Sequence, residues 1–326
     1  MSHPDPALID DIVARALAED LGVSGETFLR DPVGGDPDVL ARDVTTASVV
    51  RPGSTFDGHI VARQDGVVCG LPAAERVFTL LAGAAGRPEA VRFEALAADG
   101  DMIGAGDAVA RVSGEAVVLL AGERTALNFL MVLSGIATAA ARWQQAAGPG
   151  VAVLDTRKTL PGLRALSKWA VACGGAHPHR AGLWDMVLIK DNHVRLAGGL
   201  TAAIESARSA HPHLRIEAEA DTVDQAAEAA SAGADVVLLD NMDAETMRLS
   251  VDAVRDASAR LASARRQARC LTEASGGLTL QRIPEIVATG VDRISTSALG
   301  LAPPLDFGFD EQTARKQELE GRPWNR

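Results

Sequence analysis

The second half of the chain alternates short apolar segments with longer helical stretches, and this pattern constrains the fold more than any other. Apolar strands that alternate with helices are typical of parallel βα units. Six such segments are VAVLDT (151–156), DMVLIKD (185–191), RIEAEAD (215–221), VVLLDN (236–241), LTEASG (271–276) and RISTSA (293–298). They predict an α/β fold built on a parallel sheet.

Each of these segments ends in polar residues. In βα barrels the chemistry collects at the carboxyl ends of the strands. The residues at these ends are Asp155, Lys190, Glu219, Asp240, Glu273 with Ser275, and Ser295 to Ser297. Residues 127–302 are too few for a complete eight-stranded barrel, which takes roughly 200 or more. We therefore expect a shortened or open barrel whose site lies at this rim.

The segment RIEAEAD carries charge on one strand face. Alternation places Glu217 and Glu219 on the face opposite Ile216 and Ala218. Charges that point into a barrel are costly unless something compensates for them. The segment is either an inward-facing strand with a bound partner or an exposed edge strand with a solvated acidic face.

The first part of the chain predicts a separate α+β domain over residues 1–126, with 303–326 packing back on it and the barrel over 127–302. Residues 5–21 have helical spacing, and short alternating segments with turns occupy 44–112. Ser113 is a candidate cap for a helix that we expect to break at Ser134 and Gly135, before a second helix.

Charge is distributed unevenly. The net charge of −11 argues against nucleic-acid partners, which need a basic face. Arginine supplies 28 of 32 cationic side chains, and three of the four lysines, Lys158, Lys168 and Lys190, lie within one stretch. An acidic chain that concentrates cations in this way is suited to a small anion.

Other classes of protein are disfavoured. No apolar run approaches the length of a membrane span, and the amino terminus carries acids where a signal peptide carries lysines, so we expect a cytoplasmic protein without a membrane partner. Cys69, Cys173 and Cys270 are odd in number and far apart, which supports neither a disulfide framework nor a zinc site.

Several long motifs occur in an order that resembles the quinolinate phosphoribosyltransferase family. They are DVTT (43–46), GERTALNFLMVLSGIAT (122–138), DTRKTLPGLRALSKWAV (155–171), HRAGLWDMVLIKDNHV (179–194), EAEAD (217–221), VVLLDN (236–241) and EASGGL (273–278). The resemblance implies a type II phosphoribosyltransferase-like fold: an amino-terminal α+β domain and an incomplete, roughly seven-stranded βα barrel. It also implies dimers or larger assemblies in which one subunit closes the barrel of another.

The implied reaction joins quinolinate to phosphoribosyl pyrophosphate and releases nicotinate mononucleotide, pyrophosphate and CO2, with Mg²⁺, in de novo NAD synthesis. Quinolinate is a dianion, and the fork of arginine matches a carboxylate. By resemblance the residues that line its pocket are Arg157, Lys158, His179, Arg180 and Lys190, with Arg124 reaching in from the neighbouring subunit. From the residues alone, a surface salt bridge to a partner such as Glu123 or Glu205 is the favoured interpretation of Arg124, and a lone histidine such as His179 is more often structural.

At the ribose end, positive charge develops as pyrophosphate leaves, and carboxylates can stabilise it. The resemblance assigns this role to Glu219 and Asp240, close to the Mg²⁺ carried by the pyrophosphate, and the phosphate contacts to Ser275, Gly276, Gly277 and Ser297. Lys158, Lys190, Glu219 and Asp240 are the expected catalytic residues. Near Ser297 the chain has Leu301, where the family commonly has a histidine.

Three alternatives remain open at this point. One is the paralogue associated with molybdenum transport, which shares the fold but typically lacks a lysine at position 190. Another is a Schiff-base aldolase with Lys190 as nucleophile. The third is a sensor that binds a pyridine dicarboxylate without turning it over.

Overall fold

The computed structural model describes residues 4–29, 36–265 and 269–311. It divides into two compact units. The first comprises residues 1–138, 161–174 and 302–326, and the second comprises 139–160 and 175–301. The expected packing of 303–326 concerns a segment of which 312–326 lie outside the described residues.

The helices and strands follow in chain order. The helices are α1 (Pro6–Leu21), α2 (Glu26–Leu29), α3 (Val44–Val49), α4 (Leu71–Ala84), α5 (Ala116–Ala147), α6 (Arg164–Cys173), α7 (Asp191–Ala197), α8 (Leu200–Ala210), α9 (Val223–Ala232), α10 (Ala244–Arg265) and α11 (Ile283–Ala288), with 3-10 turns at Pro37–Arg42 and Leu280–Arg282. The strands are β1 (Thr55–Ala62), β2 (Gly66–Val67), β3 (Val91–Ala95), β4 (Met102–Ile103), β5 (Ala108–Glu115), β6 (Ala152–Leu154), β7 (Val187–Ile189), β8 (Ile216–Ala220), β9 (Val236–Asp240), β10 (Leu271–Ser275), β11 (Arg293–Ser295) and β12 (Phe307–Glu311).

The first unit is an antiparallel sheet with helices. Its strands run in the order β12-β1-β5-β3, and β2 pairs with β4. Helix α1 begins where the Asp5 carboxylate accepts the Ala7 N–H at 3.0 Å and ends at Gly22, whose φ of 64° is left-handed. Its apolar face, which includes Val13 and Leu17, is buried. This agrees with the predicted α+β character.

Helix α5 differs from its prediction in two ways. It is continuous from Ala116 to Ala147, and Ser113 lies in β5 rather than at its cap. The predicted break at Ser134 and Gly135 is wrong because both residues serve packing. Ser134 Oγ accepts the Cys69 N–H at 2.9 Å and donates to the Cys69 carbonyl at 3.1 Å. A Cβ on Gly135 would collide with the Pro303 carbonyl.

Helix α5 is also long and apolar enough to cross a membrane by length and composition alone. The expectation that no run approaches that length was therefore wrong. Of its most apolar window, 61% is buried inside the protein, as in the core helix of a globular protein. The signal is weak evidence for a span.

The second unit contains six parallel strands in the order β6-β11-β10-β9-β8-β7. All six segments predicted as strands are confirmed. Their interior is apolar, with Ile216, Val237, Leu239 and Ile294 fully buried, as a sheet covered on both faces requires. A single parallel bridge between Leu154 and His177 extends the sheet beyond β6. The incomplete barrel is thus six strands and one bridge, where roughly seven strands were expected.

Candidate active site

Four adjacent strands end in a row of functional side chains. Lys190 follows β7, Glu219 lies in β8, Asp240 ends β9 and Ser275 ends β10. Because parallel strands place their carboxyl ends at one edge, these residues, which we call the rim row, are neighbours. The Lys190 ammonium is ion-paired with the Glu219 carboxylate, and Ser275 lies opposite Asp240 in the sheet register.

A group of three carboxylates lies within this row. Oxygens of Glu219, Asp221 and Asp240 lie within 4.8 Å of one another. Glu219 and Asp240 are half-buried, and Asp221 is exposed. Carboxylate oxygens are the ligands that a small divalent cation such as Mg²⁺ prefers. The group therefore fits a hard cation.

The turn after β10 brings backbone close to the rim row. Gly276 and Gly277 have φ values of 88° and 58°, which other residues rarely adopt. A Cβ on Gly276 would collide with the side chain of Asn241. Asn241 donates from its backbone N–H to the Ser275 carbonyl at 3.0 Å and from Nδ2 to Asp240 Oδ2 at 2.6 Å. The turn is suited to close approach by a phosphate.

Two predicted cations follow β6. The Lys158 N–H donates to Thr156 Oγ1 at 3.0 Å, and the residue is exposed. Arg157 is half-buried, and its Nε is buried with no hydrogen-bond partner among the described residues. A Cβ on Gly300 would approach the Lys158 carbonyl to 2.6 Å. The predicted phosphate contact Ser297, which is half-buried, lies three residues before Gly300 in the same turn.

His179 and Arg180 lie next to a buried pair of carboxylates. His179 Nε2 is 3.2 Å from Glu217 Oε2 and 3.3 Å from Glu273 Oε1, and both glutamates are fully buried. Burial lowers the pKa of His179, but the two carboxylates outweigh burial and raise it from 6.5 to about 10. Burial and then Glu273 raise the pKa of Glu217. The pKa values of His179 and Glu217 are therefore both raised in the folded protein.

A backbone contact also fixes the orientation of the His179 ring. The Arg180 N–H donates to His179 Nδ1 at 2.7 Å. Arg180 Nη1 donates to the Met186 carbonyl at 3.2 Å. Burial, and then the positive charge of Arg157, lower the pKa of Arg180.

Arg124 lies on α5 in the first unit and is exposed. Burial raises the pKa of its neighbour Glu123, and the charge of Arg124 partly counteracts this. The contribution of Arg124 to a neighbouring subunit stays a prediction.

Sequence reasoning treated Glu273 only as a strand-end polar residue, and it missed the role of Asp155. Glu273 Oε2 is 4.0 Å from Arg293 Nη1, and the buried Asp155 accepts the His179 N–H at 2.7 Å. The alternation argument applied to RIEAEAD also marks Glu273, which shares a strand face with Ser275. No local pattern marks the partnership of Asp155 with His179, because they are 24 positions apart.

Comparisons with known proteins agree with this architecture. The model of the quinolinate phosphoribosyl transferase N-terminal domain matches residues 43–134, and that of the C-terminal domain matches residues 136–310. A probable carboxylating nicotinate-nucleotide pyrophosphorylase of Synechocystis is 41% identical over 252 residues, which are 76% of this chain and 80% of the relative. A carboxylating nicotinate-nucleotide pyrophosphorylase of Mycobacterium leprae is 37% identical over 92% of this chain and 96% of its own length.

Solved structures give the same result. The crystal structure of NadC from Streptococcus pyogenes has a TM-score of 0.80 and 31% identity, and the match covers 95% of this chain and 98% of that one. The nicotinate-nucleotide pyrophosphorylase from Francisella tularensis has a TM-score of 0.78 and 28% identity with the same coverage. With both domain models matched and relatives above 30% identity over most of their length, the chain belongs to the quinolinate phosphoribosyltransferase family.

Proposed function

We propose that the rim row and the cations beside it transfer phosphoribosyl from phosphoribosyl pyrophosphate to quinolinate, with loss of CO2. The chain is an enzyme of the carboxylating nicotinate-nucleotide pyrophosphorylase type, a pentosyltransferase of de novo NAD synthesis. What we propose here is the role of individual residues in this reaction.

The order of side chains along the rim supports it most directly. A lysine, two carboxylates and a glycine turn follow one another on β7, β8, β9 and β10. That order matches the order of groups in the two substrates: the lysine lies where the anionic ring would bind, the carboxylates where the ribose would bind, and the glycine turn where a phosphate would bind. Binding both substrates along one edge holds the ring nitrogen close to the ribose C1.

At the ring end, Arg157, Arg180 and Lys190 bind the two adjacent carboxylates of quinolinate. The charge of Arg157 lowers the pKa of Arg180, and a dianion bound to both side chains would offset this repulsion. The buried Arg157 Nε that lacks a partner among described residues would gain one. Lys158 adds a fourth positive charge at the same edge.

At the ribose end, Glu219 and Asp240 accept hydrogen bonds from the hydroxyl groups and stabilise the positive charge that develops at C1 as pyrophosphate leaves. Lys190 is paired with Glu219, so quinolinate competes with Glu219 for this lysine. Binding of the ring would thereby free the Glu219 carboxylate for the ribose.

The backbone N–H groups of the turn Ser275–Gly277, together with Ser297, bind a phosphate of the donor. After transfer the ring nitrogen is positively charged and stabilises the carbanion left by CO2. No side chain is needed as a dedicated group for decarboxylation.

Magnesium would be held by Glu219, Asp221 and Asp240, together with the pyrophosphate of the substrate. These residues offer oxygen atoms only, which fits a hard cation. When bound, the ion offsets charge on the leaving pyrophosphate.

The protein further acts in the cytoplasm as a homo-oligomer, at least a dimer, in which Arg124 of one subunit serves the site of another. Support comes from the motif GERTALN and the exposure of Arg124 on α5. Mixing an Arg124→Ala protein with a Lys190→Ala protein should restore part of the activity if sites are shared. No recovery after subunit exchange would contradict sharing.

The Schiff-base alternative uses the Lys190 amine as a nucleophile, whereas in this structure that amine is engaged in an ion pair with Glu219. The decisive assay supplies quinolinate, phosphoribosyl pyrophosphate and Mg²⁺ and follows nicotinate mononucleotide. We expect product with one pyrophosphate per CO2, and little product when nicotinate replaces quinolinate, because one carboxylate leaves cations unpaired. Tight quinolinate binding without pyrophosphate release would indicate a sensor, and equal rates with nicotinate would indicate another substrate.

A further inference from the structure

Two of the three cysteines, which are far apart in the chain, lie together with a carboxylate in the first unit. A ligand atom of each of Cys69, Asp99 and Cys173 lies within 4.8 Å of the other two, and Cys69 Sγ donates to Asp99 Oδ2 at 3.6 Å. Cys69 is fully buried, whereas Cys173 and Asp99 are half-buried. The spacing of the cysteines in the sequence did not indicate this group, which we call the thiol cluster.

The spacing of the atoms in the thiol cluster fits a shared cation. Around a tetrahedral Zn²⁺, with bonds of about 2.3 Å to sulfur and about 2.0 Å to oxygen, a sulfur and an oxygen lie about 3.5 Å apart. Cys69 Sγ and Asp99 Oδ2 are 3.6 Å apart, so a cation can take the place of the thiol proton with little movement of either atom. A disulfide would bring two sulfurs to about 2 Å and would not use the carboxylate.

Three donors other than the thiol hold the Asp99 carboxylate in place. Its Oδ1 accepts the N–H groups of Gly70 and Leu71 at 3.0 Å each, and its Oδ2 accepts Trp169 Nε1 at 3.0 Å. A carboxylate has about four lone-pair positions, and the one that remains, on Oδ2, is directed at Cys69. Outer hydrogen bonds of this kind orient the carboxylates that bind metals.

The backbone on either side of the cluster is fixed as well. The Cys69 N–H donates to Ser134 Oγ at 2.9 Å, and Ser134 Oγ donates to the Cys69 carbonyl at 3.1 Å. The turn that carries the carboxylate is joined to the segment after β2, since the Gly100 N–H donates to the Val68 carbonyl at 2.8 Å. Cys173 is the last residue of α6. The three ligands thus come from ordered segments, as a preorganised site requires.

The local electrostatics show what a cation would contribute. Contact with Cys173, then burial and then the charge of Asp99, raise the pKa of the Cys69 thiol well above its usual value. A thiolate is costly here unless positive charge is supplied, and a coordinated cation supplies it and displaces the thiol proton. Thiolate ligands select a soft or borderline cation, in contrast with the oxygen atoms of the rim row.

We propose that Cys69, Asp99 and Cys173 form a binding site for one Zn²⁺ ion or a cation of similar softness. Three protein ligands leave one position of the tetrahedron, which water fills. The ion ties the segment after β2, the turn at Asp99 and the end of α6 to one another within the first unit. The inference goes beyond the proposed function and does not rest on it.

The test titrates reduced, metal-free full-length protein with Co²⁺, which reports thiolate ligands by its charge-transfer absorption. We expect this absorption to saturate at one Co²⁺ per chain and to disappear when Zn²⁺ displaces the cobalt. Cys69→Ala and Cys173→Ala should each weaken Zn²⁺ binding by about a hundredfold or more. Cys270→Ala removes a buried thiol outside the cluster and is the matched control, which should keep the absorption.

Two further measurements sharpen the assignment. Trp169→Phe keeps an aromatic ring but removes the donor to Asp99 Oδ2, so Zn²⁺ binding should weaken by about tenfold. Zn²⁺ should raise the midpoint of thermal unfolding of the wild-type protein, and a chelator should reverse the shift. Asp240→Asn, which alters the rim row, should leave the cobalt–thiolate absorption unchanged, because the rim offers oxygen atoms only.

Absence of cobalt–thiolate absorption in the wild-type protein, or its persistence in Cys69→Ala or Cys173→Ala, would overturn the proposal. A reduced protein that binds no Zn²⁺ but forms a Cys69–Cys173 disulfide, as hydrogen peroxide is reduced to water, would also overturn it and would indicate a redox pair instead.

If either alanine variant fails to fold by circular dichroism, alkylation of the wild-type protein decides the question. Zn²⁺ should slow alkylation of the half-buried Cys173, followed by mass spectrometry, and leave that of Cys270 unchanged. Equal alkylation of Cys173 with and without Zn²⁺ would contradict the site. None of these measurements uses a substrate, so they stand even if no nicotinate mononucleotide is formed, in which case only the proposed function fails.

Discussion

Strand β8 carries two glutamates, two residues apart, whose environments and roles differ. Glu219 is half-buried at the rim and is paired with the half-exposed Lys190. Glu217 is fully buried and lies against His179 and Glu273. When a substrate binds the partner of Glu219, water can solvate the Glu219 carboxylate in its place. Glu217 is buried away from water, so the loss of its partner would leave a buried charge without compensation. Depth along one strand thus separates residues that exchange partners from residues that must keep them.

The largest effect should come from the rim. Lys190→Ala removes a cation that binds the dianion, and we expect kcat/KM for quinolinate to fall by about 10³. The rate of pyrophosphate release at varied quinolinate concentration measures this kcat/KM. Lys190→Arg keeps the charge and should lose less. A rate for Lys190→Ala within threefold of wild type would remove Lys190 from the site.

A second change sharpens the assignment of the carboxylates. Asp240→Asn keeps the shape and the hydrogen-bonding capacity toward Asn241 but removes a charge, so kcat should fall by about 10². The Mg²⁺ concentration that gives half-maximal rate should rise. Asp252→Asn, on the exposed face of α10, is the control and should behave as wild type. An unchanged Mg²⁺ requirement would place the ion elsewhere.

The two glycines of the turn after β10 allow a matched comparison of two alanine substitutions. Gly276 and Gly277 both have positive φ, but a Cβ on Gly276 meets Asn241 whereas one on Gly277 only reaches Asn241 Oδ1 at 3.8 Å. We expect Gly276→Ala to raise the KM for phosphoribosyl pyrophosphate by about tenfold, and Gly277→Ala by less, because both strain the backbone but only the first displaces the turn. Equal effects would show that backbone strain alone matters.

The buried group should respond to pH through stability. The pKa values of His179, about 10, and of Glu217 are both raised in the folded protein, so folding holds a proton that the unfolded chain releases. The part due to His179 is full below pH 6.5 and is lost as pH rises toward 10, whereas the part due to Glu217 is full only below pH 4.5 and is lost as pH rises above it. Between pH 6.5 and 8.5 the free energy of unfolding in urea should fall by about 1–2 kcal/mol.

Glu217→Gln mimics the protonated carboxyl, so its profile over the same range should be flatter. Burial raises the pKa of Cys270 to about 12, which lowers stability above pH 9 in both proteins and cancels in the difference. Parallel profiles for the two proteins would show that these residues hold no extra proton.

The strands of the second unit could be predicted from the sequence because each strand, and the polar residues at its carboxyl end, form a pattern within a few consecutive residues. Six apolar segments, each followed by polar residues, located β6 to β11 and the rim row. Motifs then indicated the family, which the comparisons confirm.

Prediction failed where a residue serves a distant partner. Ser134 and Gly135 look like a helix break, but they make room for Cys69 and Pro303 within a continuous α5. The position of His179 between Glu217 and Glu273 depends on strand register and on a backbone N–H, neither of which a local pattern encodes. The sequence indicated the chemistry of the rim but not the structure that supports it.

The most direct test of the rim assignment is a crystal structure with quinolinate and a non-reactive analogue of phosphoribosyl pyrophosphate. We expect the ring carboxylates to lie on Arg157, Arg180 and Lys190, the ribose hydroxyls beside Glu219 and Asp240, and a phosphate on the turn Ser275–Gly277. A dianion bound away from these three cations, or a ribose far from both carboxylates, would contradict it.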